Sequence, residues 1–416
     1  MRIFKFGGAS VKDADGVRNV VEVLRETGYD NTLLVVSAMG KSTNAMEAVV
    51  NTYFEDKTKL SAVLLEVMDY HNAILSGLFG NQNHPIFEKV KALYTEVQGF
   101  LAWNKSPKYN FVYDQVVGYG ELVSTTIVSA YLNEVGITNH WLDVRDFIKT
   151  DDRYRDVSVD WEMTQERVSH GVDTKKLNIT QGFLGSDENN FTTTLGREGS
   201  DYTAAILAYC LNADSVTIWK DVPGVLNADP RYFNETLLLN KISYREAIEL
   251  AFYGASVIHP KTLQPLQQKE IPLHVKSFLA PKGAGTTVGK CMGIEPKVPC
   301  FILKQNQVLM KLSSLDFSFI VEDSISALFK LFHEHKMKVD LIQSSAISFS
   351  VCVDNRFGRL NELLQHLQHR FKVACQENVS LYTIRHFDEK AIASLQNGHE
   401  VLLEQRGKNT LQLVVK

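Results

Sequence analysis

The chain has few cysteines, no long apolar run and no cluster of basic residues. Its five cysteines are odd in number and none forms a Cys-x-x-Cys pair, which argues against a disulfide framework and a zinc site. No apolar run approaches the roughly 20 residues that a membrane helix needs. Lys5 and Gly7-Gly8 interrupt the apolar start that a signal peptide would require. We therefore expect a cytosolic protein without a membrane partner.

The charge balance excludes a second class of function. The 416 residues include 44 basic and 48 acidic side chains, for a net charge of −4. A nucleic-acid-binding protein usually carries a basic patch or stripe, and none is present. Anionic ligands would have to be bound by a few individually placed cations. The length predicts two or three folded units, since a typical domain has about 150 residues.

Short apolar segments rich in β-branched residues alternate with helical segments over the first two thirds of the chain. This alternation predicts an α/β fold with a mainly parallel sheet covered by helices on both faces. Apolar residues spaced three and four apart also predict a helical hairpin at residues 60–75 and 90–101, with His71 as a buried, hydrogen-bonded core residue. The predicted strands are residues 32–37, 140–144, 177–180, 215–219 and 272–275.

A boundary is expected near residues 283–299, where Gly, Pro and Lys are concentrated and the periodicity is lost. The segments that follow predict one complete β-α-β-β-α-β unit at about 308–378 and an abbreviated second unit. We therefore expect an α+β, ferredoxin-like region over residues 300–416. Its predicted strands are residues 308–312, 338–343, 348–353, 372–374, 379–385, 400–405 and 410–415, and its predicted helices are residues 324–335, 359–370 and 391–396.

Lys5 is the first candidate functional residue. It follows an apolar start and precedes Phe6-Gly7-Gly8-Ala9-Ser10. This order predicts a strand that delivers an ammonium group to a turn in which two residues without Cβ allow backbone N–H groups to approach an anion. The natural ligand is a phosphate, although Gly-Gly after a strand is often only a tight turn.

Three further segments combine glycine with charged or hydroxyl side chains. Residues 192–201 place hydroxyls, Arg197 and Asp201 before a helix, where Asp201 could also serve only as the helix cap. Residues 219–224 follow a predicted strand, at the edge where α/β proteins bind ligands. Gly118 and Gly120 lie in a helical pattern beside Glu121, which could face a site or simply be exposed. Residues 37–44 lack the glycine spacing of a Walker loop.

Taken together, these segments resemble the aspartate kinases in order and spacing. The resemblance covers residues 1–293 and is strengthened by Gln181-Gly182-Phe183, by Asp229-Pro230-Arg231 and by the segment 254–260. It implies an amino-acid kinase fold at residues 1–293, followed by a regulatory region of the ACT type. It also implies transfer of the γ-phosphoryl group of ATP to the side-chain carboxylate of L-aspartate, with Mg²⁺, and a homodimer formed through the ACT region.

The resemblance also implies a role for individual residues, with no residue assigned as a dedicated metal ligand. Lys5 and Asp201 are the expected catalytic residues, and Asp201 would orient Lys5 or help to hold Mg²⁺. The expected aspartate-binding residues are Ser37, Thr43, Glu121, Phe183, Arg197 and Ser200. The expected nucleotide-binding residues are Lys5, Gly7, Gly8, Lys220, Asp221, Arg231 and Ser256.

The sequence departs from the family pattern at Ala9, Glu198, Lys220, Leu226 and Ser256. Many family members have a second phosphate-contacting lysine where this chain has Ser256, so Lys220 or Lys261 would have to supply that cation. Two alternatives follow, namely a kinase for another small amino acid and a catalytically impaired amino-acid sensor. An effector such as lysine or threonine is expected to bind at the ACT region if the region is a sensor.

Overall fold

The computed structural model describes residues 1–255, 257–290, 293–316 and 318–416. Its contacts divide the chain into two units. The first unit contains Met1–Val225, Leu238–Ile248 and Val257–Ile294. The second unit contains Leu226–Leu237, Glu249–Ser256 and Glu295–Lys416. Two short segments that lie before the predicted boundary therefore group with the carboxyl-terminal residues.

Strands and helices follow one another along the chain as far as Gly289, with five consecutive α-helices between the second and the third strand. They are β1 (Arg2–Phe6), α1 (Ala14–Thr27), β2 (Thr32–Val36), α2 (Ser42–Glu55), α3 (Leu60–Leu78), α4 (Pro85–Trp103), α5 (Tyr109–Val117), α6 (Tyr119–Glu134), β3 (His140–Leu142), α7 (Trp161–Gly171), β4 (Asn178–Gln181), β5 (Leu184–Ser186), β6 (Thr192–Thr194), α8 (Gly199–Leu211), β7 (Ser215–Lys220), β8 (Lys241–Ser243), α9 (Tyr244–Tyr253), α10 (Pro260–Gln268), β9 (Leu273–Ser277) and β10 (Thr286–Gly289).

The first unit is built on a mainly parallel sheet. Among the described residues, its strand order is β3-β4-β2-β1-β7-β9-β10-β8. Six neighbouring strands of this sheet are parallel to one another, namely β3, β4, β2, β1, β7 and β9. Strand β10 is antiparallel to β9. The carboxyl ends of β4, β2, β1 and β7 therefore meet at one edge. This is the edge at which open α/β sheets bind ligands.

The two faces of strand β1 have different roles. Phe4 and Phe6 belong to the large apolar core together with residues of α1 to α6. Side chains alternate between the two faces of a strand, so Ile3 and Lys5 project to the opposite face. Helix α8 packs against β1, β2 and β7. This alternation explains how a lysine inside an apolar strand reaches the first turn of α8.

The glycines near residue 120 end one helix and begin the next. Helix α5 ends at Val117, Gly118 lies between the helices, and α6 begins at Tyr119. The helical pattern predicted around Gly118 and Gly120 is thus divided between two helices, and only Gly120 lies inside one. A Cβ on Gly118 would lie only 3.0 Å from a methyl carbon of Leu184, so close packing favours glycine at the break.

The prediction for His71 is confirmed. Its side chain is fully buried, and its Nδ1 lies 2.8 Å from the Val67 carbonyl oxygen and 2.8 Å from the Tyr94 hydroxyl. Its Nε2 lies 3.2 Å from the Ser42 hydroxyl. Burial lowers the pKa of His71 to about 4, so the ring is neutral near pH 7. His71 is a core residue that fixes α3 against its neighbours.

The second unit contains an antiparallel sheet. Its strand order among the described residues is β12-β13-β11-β14-β16-β15. The elements are β11 (Cys300–Ser314), α11 (Glu322–Glu334), β12 (Lys338–Ser344), β13 (Ser348–Asp354), α12 (Leu360–Gln368), β14 (Phe371–Arg385), α13 (Glu389–Gln396), β15 (Val401–Arg406) and β16 (Thr410–Val415).

Strands β11 and β14 run through both halves of this sheet. Each has 15 residues, and they pair from Cys300 opposite Arg385 to Ser314 opposite Phe371. The predicted strands at residues 372–374 and 379–385 are therefore one strand, and the strand predicted at residues 308–312 is longer at both ends. Polar residues lie near the middle of both strands. The register shifts between Lys304 and Leu309 accommodate these residues within the ladder.

The predicted fold class, α/β followed by α+β, is confirmed. One half of the second unit has the order β-α-β-β-α-β, with α11 and α12 packed over an apolar core that includes Phe332, Phe349 and Leu363. The other half uses the remaining parts of β11 and β14 with α13, β15 and β16. No helix in the described parts of the chain has the length and apolar character of a membrane span.

Candidate active site

A pocket of about 450 Å³ opens in the first unit at the carboxyl ends of the parallel strands. Residues that follow or end β1, β2, β4 and β7 line it together with α6 and the first turn of α8. The lining residues are Lys5, Gly8, Ser37, Ala38, Gly40, Thr43, Tyr113, Glu121, Arg155, Phe183, Gly196, Arg197, Glu198, Gly199, Ser200, Asp201 and Lys220.

The Lys5 ammonium group lies against the Asp201 carboxylate inside this pocket. Nζ of Lys5 is 2.5 Å from Oδ1 of Asp201, and the Asp201 side chain is only 2% exposed. Burial alone would raise the pKa of Asp201, but the positive charges of Lys5 and Lys220 outweigh it and hold that pKa below its usual value. Asp201 is therefore ionised and fixes the position of Lys5.

Lys220 ends β7 and points into the same pocket. Its Nζ lies 3.7 Å from Oδ2 of Asp201 and donates a hydrogen bond of 2.5 Å to the Val257 carbonyl oxygen. Lys261 was the other lysine considered for this region. Its Nζ instead lies 2.5 Å from Oδ1 of Asp156, and Lys261 does not line the pocket. Of the two, Lys220 is the one placed beside Asp201.

Gly8 allows two loops to approach closely at the end of β1. A Cβ at Gly8 would lie 2.7 Å from the Gly40 carbonyl oxygen and 2.8 Å from the Ala38 carbonyl oxygen, so no other residue fits there without displacing backbone. A Cβ at Gly7 would have an ordinary contact of 3.4 Å with Nζ of Lys5. The two glycines predicted as a pair are therefore under different constraints.

Glu121 lies at the first turn of α6 and is almost completely buried. Its Oε1 accepts long hydrogen bonds of 3.4 Å from the Ala38 N–H and from the Thr43 hydroxyl, and its Oε2 has no protein partner among the described residues. Burial raises the pKa of Glu121 to about 8. Its Oε2 atom could therefore contact a cationic or hydrogen-bonding ligand in the pocket.

The loop that leads into α8 carries Arg197 and Ser200. Arg197 is exposed at the pocket mouth, and Ser200 is buried in the first turn of the helix. Phe183 has a φ of 71°, and its N–H donates to the Thr203 hydroxyl at 2.8 Å. The amino terminus of α8 adds a partial positive charge at the same place. Together these features favour an anionic ligand.

Tyr113, Arg155 and Glu198 also line the pocket, although none of them was predicted as a site residue. The Arg155 guanidinium stacks over the Tyr113 ring at 4.1 Å and lies 3.0 Å from Oε1 of Glu47. Glu198 precedes α8 with a φ of 54°, and its Oε2 is buried without a protein partner among the described residues. Arg155 lies in a polar segment without periodicity, so no sequence signal singled it out.

The structure gathers most, but not all, of the predicted site residues. Asp221 is exposed and does not line the pocket. Arg231 belongs to the second unit, where its guanidinium pairs with Asp229 at 2.6 Å. Gly7 adjoins Lys5 without lining the pocket, and Ser256 lies outside the described residues. The predicted residues that line the pocket are Lys5, Gly8, Ser37, Thr43, Glu121, Phe183, Arg197, Ser200, Asp201 and Lys220.

The site offers little coordination for a resident metal ion. No group of three or more His, Cys, Asp or Glu side chains among the described residues could hold one. Both oxygens of Asp201 face lysines. Mg²⁺ in kinases is commonly bound by one or two carboxylates, water and substrate phosphates. Binding of that kind requires no group of three protein ligands.

Comparisons with known proteins agree with this geometry. Residues 1–277 match the model of the amino acid kinase family. The chain is 33% identical over 405 residues to lysine-sensitive aspartokinase 3 of Escherichia coli strain K12, covering 92% of this chain and 86% of that protein. It is also 28% identical to the chloroplastic aspartokinase 1 of Arabidopsis thaliana, covering 98% of this chain and 73% of that protein.

The chain belongs to the amino acid kinase family, as one of its aspartokinases. Its structure matches that of E. coli aspartokinase III in complex with lysine and aspartate (T-state) with a TM-score of 0.84 and 29% identity, covering 100% of this chain and 96% of that one. The match to the same enzyme with aspartate and ADP (R-state) has a TM-score of 0.81, 29% identity and the same coverage. The predicted family and function are confirmed at this level.

Some relatives are much longer than this chain. The chloroplastic bifunctional aspartokinase/homoserine dehydrogenase 2 of Arabidopsis thaliana is 30% identical over 392 residues, which cover 90% of this chain but 42% of that protein. The chain therefore spans less than half of that protein.

Proposed function

We propose that the protein transfers the γ-phosphoryl group of ATP to the side-chain carboxylate of L-aspartate, giving 4-phospho-L-aspartate. The observation that carries this proposal is the composition of one pocket. Lys5 and Lys220 flank Asp201 at one position, and Glu121 and Arg197 lie in the same cavity. Ammonium groups suit phosphates, whereas a carboxyl and a guanidinium suit the two charged groups of an amino acid.

The reaction requires no general base. A carboxylate with a reference pKa near 3.9 is already ionised at neutral pH. The difficulty is to bring two anions together, and phosphoryl transfer depends mainly on positioning and charge stabilisation. A pocket with several cations and a helix amino terminus meets that requirement.

At the phosphate end, we assign Lys5 to the transferring group, with Asp201 fixing its position. Gly7 and Gly8 would let backbone N–H groups approach the phosphates. Lys220, Asp221 and Arg231 remain proposed nucleotide residues; Lys220 lines the pocket, whereas Asp221 and Arg231 do not. Ser256 stays a prediction from sequence alone.

At the amino-acid end, Arg197 would grip a carboxylate of aspartate and Glu121 would accept the α-ammonium group. Ser37, Thr43, Phe183 and Ser200 would shape the remaining surface. All six line the pocket, and the pocket volume suits a small amino acid next to the terminal phosphates of a nucleotide. E. coli aspartokinase III has been crystallised with aspartate and ADP, which supports these ligands for this chain.

Mg²⁺ bound to the nucleotide would neutralise phosphate charge during transfer. Among the chain's own groups, Asp201 or Asp221 could supply one oxygen ligand. Because Lys5 and Lys220 both lie against Asp201, we assign to Asp201 mainly the positioning of these lysines.

The test is to incubate the protein with Mg²⁺, ATP and L-aspartate in hydroxylamine, which traps an acyl phosphate as the hydroxamate. We expect aspartyl hydroxamate in stoichiometry with ADP. Lys5→Met should abolish its formation, whereas Lys269→Met should not, since Lys269 binds the Tyr209 carbonyl oxygen at the opposite end of α8. Absence of hydroxamate from the unmodified protein at saturating substrates would refute the proposed function.

We further propose that residues 1–293 form the catalytic domain and residues 300–416 an ACT-type regulatory region through which two copies form a homodimer. The β-α-β-β-α-β half of the second unit supports the ACT assignment. The E. coli relative is lysine-sensitive, which makes an amino acid the expected effector. Isothermal titration with lysine and with threonine tests this, and no heat with either would remove the sensor role. Sedimentation velocity tests the dimer.

A further inference from the structure

Lys5 and Lys220 come from neighbouring strands and project to the same face of the sheet. Strands β1 and β7 are parallel, with Lys5 opposite Ile218. Lys220 lies two residues beyond Ile218, so its side chain leaves the same face one step closer to the carboxyl edge. Two ammonium groups from adjacent strands therefore lie on the same face of the sheet, and both line the pocket.

One buried carboxylate holds both lysines. Lys5 approaches Oδ1 of Asp201 at 2.5 Å and Lys220 approaches Oδ2 at 3.7 Å. The Asp201 side chain is 2% exposed, and the lysine side chains are 11% and 22% exposed. Two positive charges against one negative charge leave an uncompensated positive charge, which is unfavourable in a buried site unless an anion binds there.

Two of the three N–H donors of Lys220 meet acceptors among the described residues. An ammonium group has three N–H donors. One donates to the Val257 carbonyl oxygen and a second faces Asp201. The carbonyl and the carboxylate fix the ammonium position, and the third N–H has no partner among the described residues of the pocket that Lys220 lines. Such a preorganised cation stabilises developing charge without having to reorganise.

We propose that Lys220 is a second catalytic cation, which acts together with Lys5 on the phosphoryl group during transfer. This inference rests on the proposed function. An oxygen of the acceptor carboxylate forms a bond to the γ-phosphorus, while the bond from that phosphorus to the β,γ-bridging oxygen breaks and ADP leaves with the electron pair. No proton moves. Lys5 and Lys220 balance the negative charge on the oxygens of the transferring group, and Asp201 keeps both lysines in position.

The assignment predicts an effect on turnover more than on nucleotide affinity. Lys220→Met should lower kcat by about 10²- to 10³-fold, the usual loss when one preorganised donor to a transition state is removed. The KM for ATP should change by less than about fivefold, because binding energy from the rest of the nucleotide is kept. Lys220→Arg keeps the charge but displaces it, and should recover part of the lost kcat.

The matched control is Lys269→Met. Lys269 also donates to a backbone carbonyl oxygen, that of Tyr209, and to a side-chain oxygen, that of Asn212, but it lies at the carboxyl end of α8. Its loss should leave kcat within about threefold of the unmodified value. A second variant, Lys220→Gln, removes the charge but keeps an N–H group that can donate to the Val257 carbonyl oxygen. If Lys220→Met does not fold, the kcat of Lys220→Gln tests the catalytic role.

The affinity for ADP with fluoroaluminate and aspartate, a transition-state mimic, gives a second measurement. Lys220→Gln should weaken it at least 50-fold while the affinity for ADP alone stays within about fivefold. Unchanged kcat, or a change confined to the KM for ATP, would overturn the catalytic role. These results are read only against an unmodified protein that forms aspartyl hydroxamate, so failure of the proposed function is separately visible.

Discussion

Asp114 and Arg155 are 41 residues apart in sequence, yet both carboxylate oxygens of Asp114 accept the Arg155 backbone N–H, at 3.1 and 2.9 Å. The same carboxylate accepts the N–H and the hydroxyl of Thr194 at 2.9 and 2.7 Å. Asp114 thereby joins the 150s loop to β6, next to the pocket. It also holds Tyr154 and Arg155 at φ values of 54° and 66°, a strained region for residues other than glycine.

Asp114→Asn should destabilise this junction. An amide group keeps the shape but turns N–H donors toward backbone N–H groups, and the free energy of unfolding should fall by about 2 kcal/mol. Because Arg155 lines the pocket, the KM for aspartate should also rise. Denaturant unfolding and steady-state kinetics measure the two effects. Asp152→Asn, in the exposed part of the same loop, is the control, and equal effects from both variants would contradict the argument.

The buried carboxyl of Glu121 should make aspartate binding depend on pH. Its pKa is about 8 without ligand, so it is mostly protonated at pH 7, whereas the α-ammonium group of aspartate binds the ionised form. The KM for aspartate should therefore fall as pH rises, roughly eightfold between pH 7 and 8.5, and then level off. Coupled ADP-release assays at saturating ATP measure this. Glu121→Gln should bind weakly at every pH with a flat profile; a sloping profile in that variant would assign the titration to another group.

Ionisation of Glu121 should lower the stability of the folded protein as pH rises, although it improves aspartate binding. Its pKa in the folded protein lies above the reference value of 4.5, so folding favours the protonated form. That contribution is complete below about pH 4.5 and is lost as pH rises through about 8. Glu121→Gln does not titrate, so its melting temperature should exceed that of the unmodified protein by a margin that grows from pH 5 to 8. Differential scanning calorimetry gives the margin, and one that does not change with pH would contradict the assignment.

Gly7 and Gly8 should respond differently to alanine. A Cβ at Gly8 meets two backbone carbonyl oxygens at 2.7 and 2.8 Å, so Gly8→Ala should force β1 and the 38–40 loop apart and lower the free energy of unfolding by about 2 kcal/mol. It should also lower kcat through the displacement of Lys5. Gly7 has a φ of −79° and ordinary space around a Cβ, so Gly7→Ala should fold normally. Equal melting temperatures for the two variants would show that the loops can separate freely.

Site residues could be predicted from the sequence where a residue type is unusual in its local context. A lysine in an apolar strand before two glycines indicated an anion site, and strand alternation then requires Lys5 to face the helix that begins near Asp201. Glu121 was harder to predict, because an exposed glutamate on a helix has the same local pattern. The turn lies at the pocket because Gly120 packs closely against Ala38, with a potential Cβ contact of 3.2 Å, which local pattern does not reveal.

Two parts of the structure could not be predicted from local pattern. Arg155 reaches the pocket because Asp114 and Thr194 fix its loop, and such contacts between distant segments leave no periodic signal. The middle of β11 and β14 is polar and irregular, and the sequence predicted only residues 308–312 of β11 and two separate segments, 372–374 and 379–385, of β14. Cross-strand pairing overrides that local preference.

The continuity of β11 and β14 also determines how the second unit can come apart. A cut after residue 378, where one β-α-β-β-α-β module would end by sequence, falls inside β14 and removes strand partners from both halves. Neither half is therefore an excisable module. The sheet should melt in one cooperative transition, and tension applied to one half is carried to the other along covalent strands rather than across a packed interface.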